Sequence, residues 1–223
     1  MPKKLGALII SGVHLLGKIR PFTKRFTRII AKPIAATGIN PNMFSFLGVI
    51  LALVAAYFIV QKQFPESFIF AVLAVSIDLF DGAVAQLQGK KSLFGNYFET
   101  MIDKIVEIIL FIAASFIHPI AAICALGFSM LAAYAKPRVA LVIITDNRDW
   151  PAIGEHSERM LIFIFGLLLL NFTPFIFGYS VLELSLWAIA IISFVGAIQR
   201  IFYAKKLIAE AEQNGTVLPY LKK

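Results

Sequence analysis

Apolar blocks about twenty residues long, separated by short turn-forming stretches, recur along the 223 residues of this chain. A helix of that length crosses the roughly 30 Å hydrocarbon core of a bilayer, and in lipid only a helix or a closed barrel satisfies its own backbone. The pattern therefore predicts an all-α integral membrane bundle. Six transmembrane helices are predicted, over 42–60, 66–85, 97–117, 120–143, 158–177 and 181–203. Breaks are expected at Asn40-Pro41, Pro65, Gly89, His118-Pro119, Pro151 to Gly154 and Gly178, where Pro, Gly and Asn supply turn chemistry. Composition agrees, with 59% hydrophobic and 15% charged residues, outside the range of ordinary soluble domains.

One membrane domain over 1–223 accounts for the whole chain: an interfacial or juxtamembrane segment at 5–30, a six-helix core at 42–203 and a cytoplasmic tail at 204–223. No linker or internal repeat is evident, which weakens a transporter built from inverted repeats. Leu5, Leu8, Ile9, His14, Leu15 and Ile19 fall close to a helical period between basic residues, predicting an amphipathic helix lying in the interface. No small-residue cleavage site follows this segment, so it is expected to stay in the mature chain. The single cysteine, Cys124, excludes an internal disulfide.

The net charge is +8. Six crossings put both termini on one side, and nearly every Lys and Arg falls on or near that side, leaving Lys62 on the other. Basic flanks mark the cytoplasmic face, so the termini are predicted to be cytoplasmic. The charge reads as topology plus attraction to anionic lipid headgroups, with no nucleic acid as partner.

The stretch from Ser76 to Glu107 carries five carboxylates in or beside apolar helices. An acidic residue at mid-membrane costs roughly 2.5 to 3.5 kcal/mol on insertion scales, so four unpaired ones oppose insertion by about 10 kcal/mol. The local cations are Lys90, Lys91 and Lys104, and the first two sit in a loop that water reaches. Metal ions would balance the charge. Asp78 and Asp81 are three apart at the end of the second span, Glu99 and Asp103 four apart at the start of the third, so each pair shares a helix face. The short connection makes the two helices antiparallel neighbours and brings the pairs to one depth. All-oxygen ligands suit Mg²⁺ or Mn²⁺, and two such ions match four negative charges. Gly82 and Gly95 leave room for close backbone approach to a phosphate or a neighbouring helix. Glu107 is expected to pair with Lys104 or to order the metal site, not to ligate.

These residues resemble the signature of the CDP-alcohol phosphotransferase family, DxxDGxxAR, eight residues, then GxxxDxxxD. The corresponding positions here are Asp78, Asp81, Gly82, Ala85, Gln86, Gly95, Glu99 and Asp103, with every spacing kept. The resemblance implies metal-dependent transfer of a phosphatidyl-type phosphate from a CDP-linked lipid, diacyl or ether, to an acceptor alcohol, with release of CMP. It implies that Asp78, Asp81, Glu99 and Asp103 hold two Mg²⁺ or Mn²⁺ ions and that Asp103 is the catalytic base. Donor contacts are carried to Asp78, Asp81, Gly82, Ala85, Gln86 and Gly95, with Gly82 and Ala85 against the cytidine nucleotide. Family members are often dimers, so a homodimer is expected by resemblance alone.

Two positions depart from the signature. Glu99 replaces Asp and moves its carboxylate out by one methylene. Gln86 replaces Arg and removes a cation for the donor phosphates, a charged hydrogen bond worth about 1.5 to 3 kcal/mol, unless Lys90 or Lys91 substitutes. A catalytically degenerate member acting as a membrane scaffold is the alternative these departures raise.

For the acceptor, Lys136, Arg138 and Arg159 are the candidate phosphate-binding residues. They resemble basic clusters in members that use inositol phosphate or glycerol phosphate, where Arg grips phosphate with two hydrogen bonds. Arg148 and His156 lie nearby with no assigned task. A cation transporter would place its carboxylates at the midplane on broken helices, whereas these gather at one face.

Overall fold

A computed structural model of the chain describes residues 20–144, 150–151 and 153–218. The interfacial pattern expected between Leu5 and Ile19 lies outside the described residues. Helix α1 runs Arg20–Ala36, α2 Pro41–Val60, α3 Phe64–Leu87, α4 Leu93–Ser115, α5 Pro119–Val139, α6 His156–Leu170 and α7 Val181–Gln213. A two-stranded hairpin, β1 Phe175–Ile176 and β2 Tyr179–Ser180, joins α6 to α7.

Local chemistry explains the helix ends. Asn40 caps α2, its side chain accepting the Asn42 amide at 3.0 Å, and Pro41 takes the first helical position, where no amide donor is needed. Ser92 caps α4 in the same way, accepting the Gly95 amide at 2.9 Å. At the start of α6, Glu158 folds back to accept the amides of Gly154 at 2.9 Å and Glu155 at 3.3 Å.

Each of the six predicted spans overlaps one of the helices α2 to α7, but their lengths differ from expectation. Helix α6 stops at Leu170 rather than 177, because Pro174 lacks an amide and pushes the preceding residue out of helical space. The hairpin that follows turns through Phe177 and Gly178, both at positive φ. It is the one sheet among the described residues and a small departure from an all-α fold. In the opposite sense, α7 continues through the first half of the expected tail. Its 33 residues make it about 50 Å long, well beyond the hydrocarbon thickness. Past its end the chain folds back, and Val217 bridges Ile143 beyond α5.

Four helices, α2, α3, α5 and α7, are long and apolar enough to cross a membrane. Helix α4 has the length, 23 residues, but carries Glu99, Asp103, Lys104 and Glu107. Helix α6, with 15 residues, reaches only about 22 Å.

Contacts along the bundle fix the helix directions. The start of α2 meets the end of α3 through Ser45 and Asp81. Helices α5 and α7 run parallel, joined by His118 and Glu183 at 3.6 Å, by Ser129 and Ser193 at 3.2 Å, and by Arg200 donating to the Ala132 carbonyl at 2.6 Å. Helices α4 and α6 also run parallel, linked by Glu107 and Arg159. The six helices therefore alternate in direction. Lys90, Lys91, Lys136, Arg138, Arg200, Lys205 and Lys206 all sit toward one end, and Lys62 turns the chain at the other.

Packing is inverted relative to a soluble protein. Small residues fill the interior, among them Ala52, Ala55, Ala71, Ala74, Ala114 and Ala125, whereas Ile50, Leu53, Leu73, Ile112, Phe165 and Ile191 face outward. Close approach through small side chains is how helices associate where lipid tails are as apolar as the core.

Gly154 and Gly196 dock the loop before α6 onto α7. Gly154 has φ +70°, and an added Cβ at Gly196 would overlap the carbonyl oxygen of Ile153, a backbone atom that cannot rotate away. Gly196→Ala is predicted to destabilise the bundle by about 1 to 3 kcal/mol, as overpacking does. At Gly127 nothing lies within 4 Å of an added Cβ, so Gly127→Ala is predicted to be neutral or stabilising by up to about 1 kcal/mol. Thermal unfolding of the two variants in one detergent distinguishes them.

Candidate active site

Helices α3 and α4 bring the four signature carboxylates to one end of the bundle. Oxygens of Asp78, Asp81 and Glu99 lie within 4.8 Å of one another. A second group under the same limit joins Asp78 and Asp103 to a ring nitrogen of His156. Asp78 thus belongs to both groups and marks the midpoint of an elongated cluster.

The approach of α3 to α4 depends on Gly82, where an added Cβ would stand 3.2 Å from Oε1 of Glu99. Asp81 is nearly inaccessible at 3% exposure and is oriented from α2, Ser45 Oγ donating to its Oδ2 at 2.7 Å. The backbone amide of Gly82 donates to its Oδ1 at 2.6 Å. No lysine or arginine among the described residues forms an ion pair with any of the four carboxylates. Crowded, oxygen-rich and unpaired with protein cations, the cluster fits hard divalent cations such as Mg²⁺ or Mn²⁺.

A cavity of about 330 Å³ opens beside the cluster. Asp81, Gly82, Ala85, Gly95 and Glu99 line it together with Ser45 and Asn42, and Lys90 and Lys91 stand at its edge. Of the expected donor-binding residues, Asp78 lies just deeper, in a small gap shared with Asp103 and His156. Gln86 faces a separate cleft between α1 and α3, where Arg28, Lys32 and Lys91 are its basic neighbours. Lys91 borders both spaces.

Below the cluster is a buried ionic network that was only partly legible in the sequence. Glu107 is fully buried and accepts hydrogen bonds from Arg159 Nε at 2.5 Å, Arg159 Nη2 at 2.9 Å, Lys104 Nζ at 2.9 Å and His156 Nδ1 at 3.1 Å. The remaining Arg159 terminal nitrogen donates to the carbonyl of Gly154. Arg159, expected to grip an acceptor phosphate, is instead engaged within the protein in this arrangement. At 1% exposure and with its nitrogens committed to Glu107 and Gly154, the guanidinium braces α4 against α6.

The other two acceptor candidates are more open. Lys136 is half-buried, its Nζ 6.0 Å from the centre of the Trp150 ring. Arg138 is exposed on a groove between α5 and α7, near Tyr134 and Lys205. Arg200 is anchored by the carbonyls of Ala132 and Pro151. Arg148 is outside the described residues.

Sequence reasoning missed the part played by Ser45, which lies more than thirty positions before its partner with no pattern to connect them. It noted His156 but had no ground for placing it beside Asp78 and Asp103, since that contact depends on how α6 packs.

Three substitutions separate the buried network, an exposed ion pair and the carboxylate cluster. Arg159→Met leaves Glu107 short of its main partner and is predicted to lower stability by about 3 kcal/mol or more. Lys206→Met, which removes an exposed 3.7 Å pair with Glu210, is predicted to change stability by less than about 1 kcal/mol; thermal unfolding in detergent checks both. Gly82→Ala is predicted to leave the unfolding temperature nearly unchanged but to weaken Mn²⁺ binding about tenfold by displacing Glu99, read by calorimetric titration.

Residues 38–199 match the family described as CDP-alcohol phosphatidyltransferase. The chain is 31% identical over 204 residues to archaetidylinositol phosphate synthase of Pyrococcus horikoshii, which covers 86% of this chain and 97% of that protein. Its fold is similar to the crystal structure of Mycobacterium tuberculosis phosphatidylinositol phosphate synthase PgsA1 with CDP-DAG bound. The TM-score is 0.67 at 21% identity, over 89% of this chain and 98% of that one. The same enzyme in complex with manganese and citrate gives a TM-score of 0.65 at 19% identity, over 88% and 92% of the respective chains.

Proposed function

The chain belongs to the CDP-alcohol phosphatidyltransferase family, and from that premise we propose that it transfers the lipid-bearing phosphate of a CDP-linked lipid to the hydroxyl of a phosphorylated polyol, releasing CMP. The observation that carries the reading is the convergence of Asp78, Asp81, Glu99 and Asp103 beside an open cavity, with no lysine or arginine among the described residues ion-paired to them. The Pyrococcus relative's name favours inositol phosphate as acceptor, with glycerol phosphate the second candidate.

Asp78, Asp81, Glu99 and Asp103 would hold two Mg²⁺ or Mn²⁺ ions. When bound, these ions neutralise the carboxylates and stabilise charge developing on the phosphate oxygens and on CMP. Gly82, Ala85 and Gly95 leave the cavity wall flat enough for the cytidine nucleotide. Lys90 and Lys91, at its edge, supply the positive charge that Gln86 does not. Asp103 takes the proton from the acceptor hydroxyl as that oxygen attacks the phosphorus attached to the lipid. The bond from this phosphorus to the bridging oxygen breaks, and CMP leaves with that oxygen. Lys136 and Arg138 remain the acceptor-phosphate candidates.

The same reading covers the setting. All six helices α2 to α7 cross the membrane as one domain, with α4 tolerated because its charged residues face the site and the Glu107 network, and the short α6 accommodated by local thinning of the bilayer. The crowding of basic residues at the active-site end supports a cytoplasmic site and termini. A homodimer belongs to the proposal by family resemblance.

The test is CMP release by purified protein in liposomes with a CDP-linked lipid, Mg²⁺ or Mn²⁺, and inositol phosphate, glycerol phosphate, serine or free inositol. Metal-dependent release is predicted with a phosphorylated polyol, lost on chelation and lowered about 10²- to 10⁴-fold by Asp103→Asn, the range for removing a general base. No release with any acceptor would favour the scaffold alternative.

A further inference from the structure

His156 is the first residue of α6 and is not part of the signature, yet α6 carries it to the floor of the carboxylate cluster. A ring nitrogen lies within 4.8 Å of oxygens of both Asp78 and Asp103. The ring is only partly buried and borders the small gap that these two aspartates line. Its Nδ1 is 3.1 Å from Oε2 of Glu107, a carboxylate that also receives Arg159 and Lys104. A carboxylate surrounded by donors acts as an acceptor, so Nδ1 carries the hydrogen. In the neutral ring this tautomer leaves the lone pair on Nε2. A carboxylate holding one imidazole nitrogen so that the other can bind a metal is a recurrent arrangement around metal-ligating histidines.

We propose that His156 is a nitrogen ligand for the metal position formed by Asp78 and Asp103, with its ring orientation and tautomer set by Glu107. This rests on the metal-dependent reading above and goes beyond it, because the cluster then becomes two unlike positions. The position at Asp78, Asp81 and Glu99 has oxygen donors alone; the position at Asp78 and Asp103 includes one imidazole. Imidazole suits later transition ions better than Mg²⁺, so the two positions differ in preference, and the His156 position discriminates more strongly against Mg²⁺. Arg159 and Lys104 gain a second purpose in this arrangement, since both keep Glu107 charged and fixed under the ring.

The experiment uses full-length protein purified without a polyhistidine tag, loaded with Mn²⁺ in detergent and studied by pulsed electron paramagnetic resonance. Mn²⁺-bound wild-type protein is expected to show nitrogen modulation from a coordinated imidazole, with the isotope shift expected after ¹⁵N-histidine labelling. His156→Gln should abolish that modulation while retaining bound Mn²⁺, and should weaken the affinity of one of two Mn²⁺ equivalents by about tenfold or more. The chain has two other histidines, His14 and His118, and the modulation should persist in His14→Gln and His118→Gln. Wild-type protein that binds Mn²⁺ without nitrogen coupling overturns the assignment and needs no variant to fold. Coupling that persists in His156→Gln overturns it too. So does an unchanged Mn²⁺ spectrum in His156→Gln with a raised KM for the acceptor, which would make the ring an acceptor contact. Wild-type protein that binds no Mn²⁺ overturns this inference together with the metal-dependent reading beneath it.

Discussion

Asp78, Asp81, Glu99 and Asp103 gather where like charges repel and where lipid-embedded helices offer little water to screen them. Much of the surrounding structure can be understood as what makes that concentration tolerable. The carboxylates lie at one end of α3 and α4, beside an open cavity, rather than midway along the bundle. Ser45 and the Gly82 amide each give Asp81 a donor. The absence of a side chain at Gly82 lets Glu99 close on the same space. None of these groups cancels the negative charge, and the cluster is suited to divalent cations for the same reason that it is unfavourable without them.

One layer beneath, the opposite solution is used. Glu107 is buried with its charge matched inside the protein by Arg159 and Lys104. A buried pair gains little over a well-packed apolar substitute, but breaking it leaves an uncompensated charge. Such a network is a strong positional constraint, because α4 and α6 must meet in one register for it to form. The Arg159 contact to the Gly154 carbonyl extends that register to the loop before α6. Gly154 and Gly196 then hold the loop against α7. A chain of contacts therefore runs from the carboxylate cluster to the last helix of the bundle.

The helix plan was largely readable from local features. Proline and asparagine at Asn40-Pro41, proline after His118 and glycine at 89 act through their own backbone preferences, so their effect does not depend on the rest of the fold. The carboxylate spacing was readable for a similar reason, since residues three or four apart share a helix face wherever the helix goes. Helix ends were less legible. Loss of helix after Leu170 depends on Pro174 and a tight hairpin, and the extension of α7 to Gln213 follows a more polar sequence that looks like a tail. Arg159 was the least legible residue. Beside Glu158 at the start of an apolar block, it has the appearance of an ordinary basic flank, and nothing within reach along the chain points to Glu107.

The sequence by itself determined a helical membrane bundle, the faces on which its carboxylates lie and the kind of cation they suit, because hydropathy, helical period and ligand chemistry are properties of short segments. Only the tertiary structure decided which distant residues join them: Ser45 behind Asp81, His156 beside Asp78 and Asp103, and Arg159 turned inward to Glu107. Those contacts lie between helices far apart in the chain, so their partners are set by how the helices pack and by nothing in the local pattern.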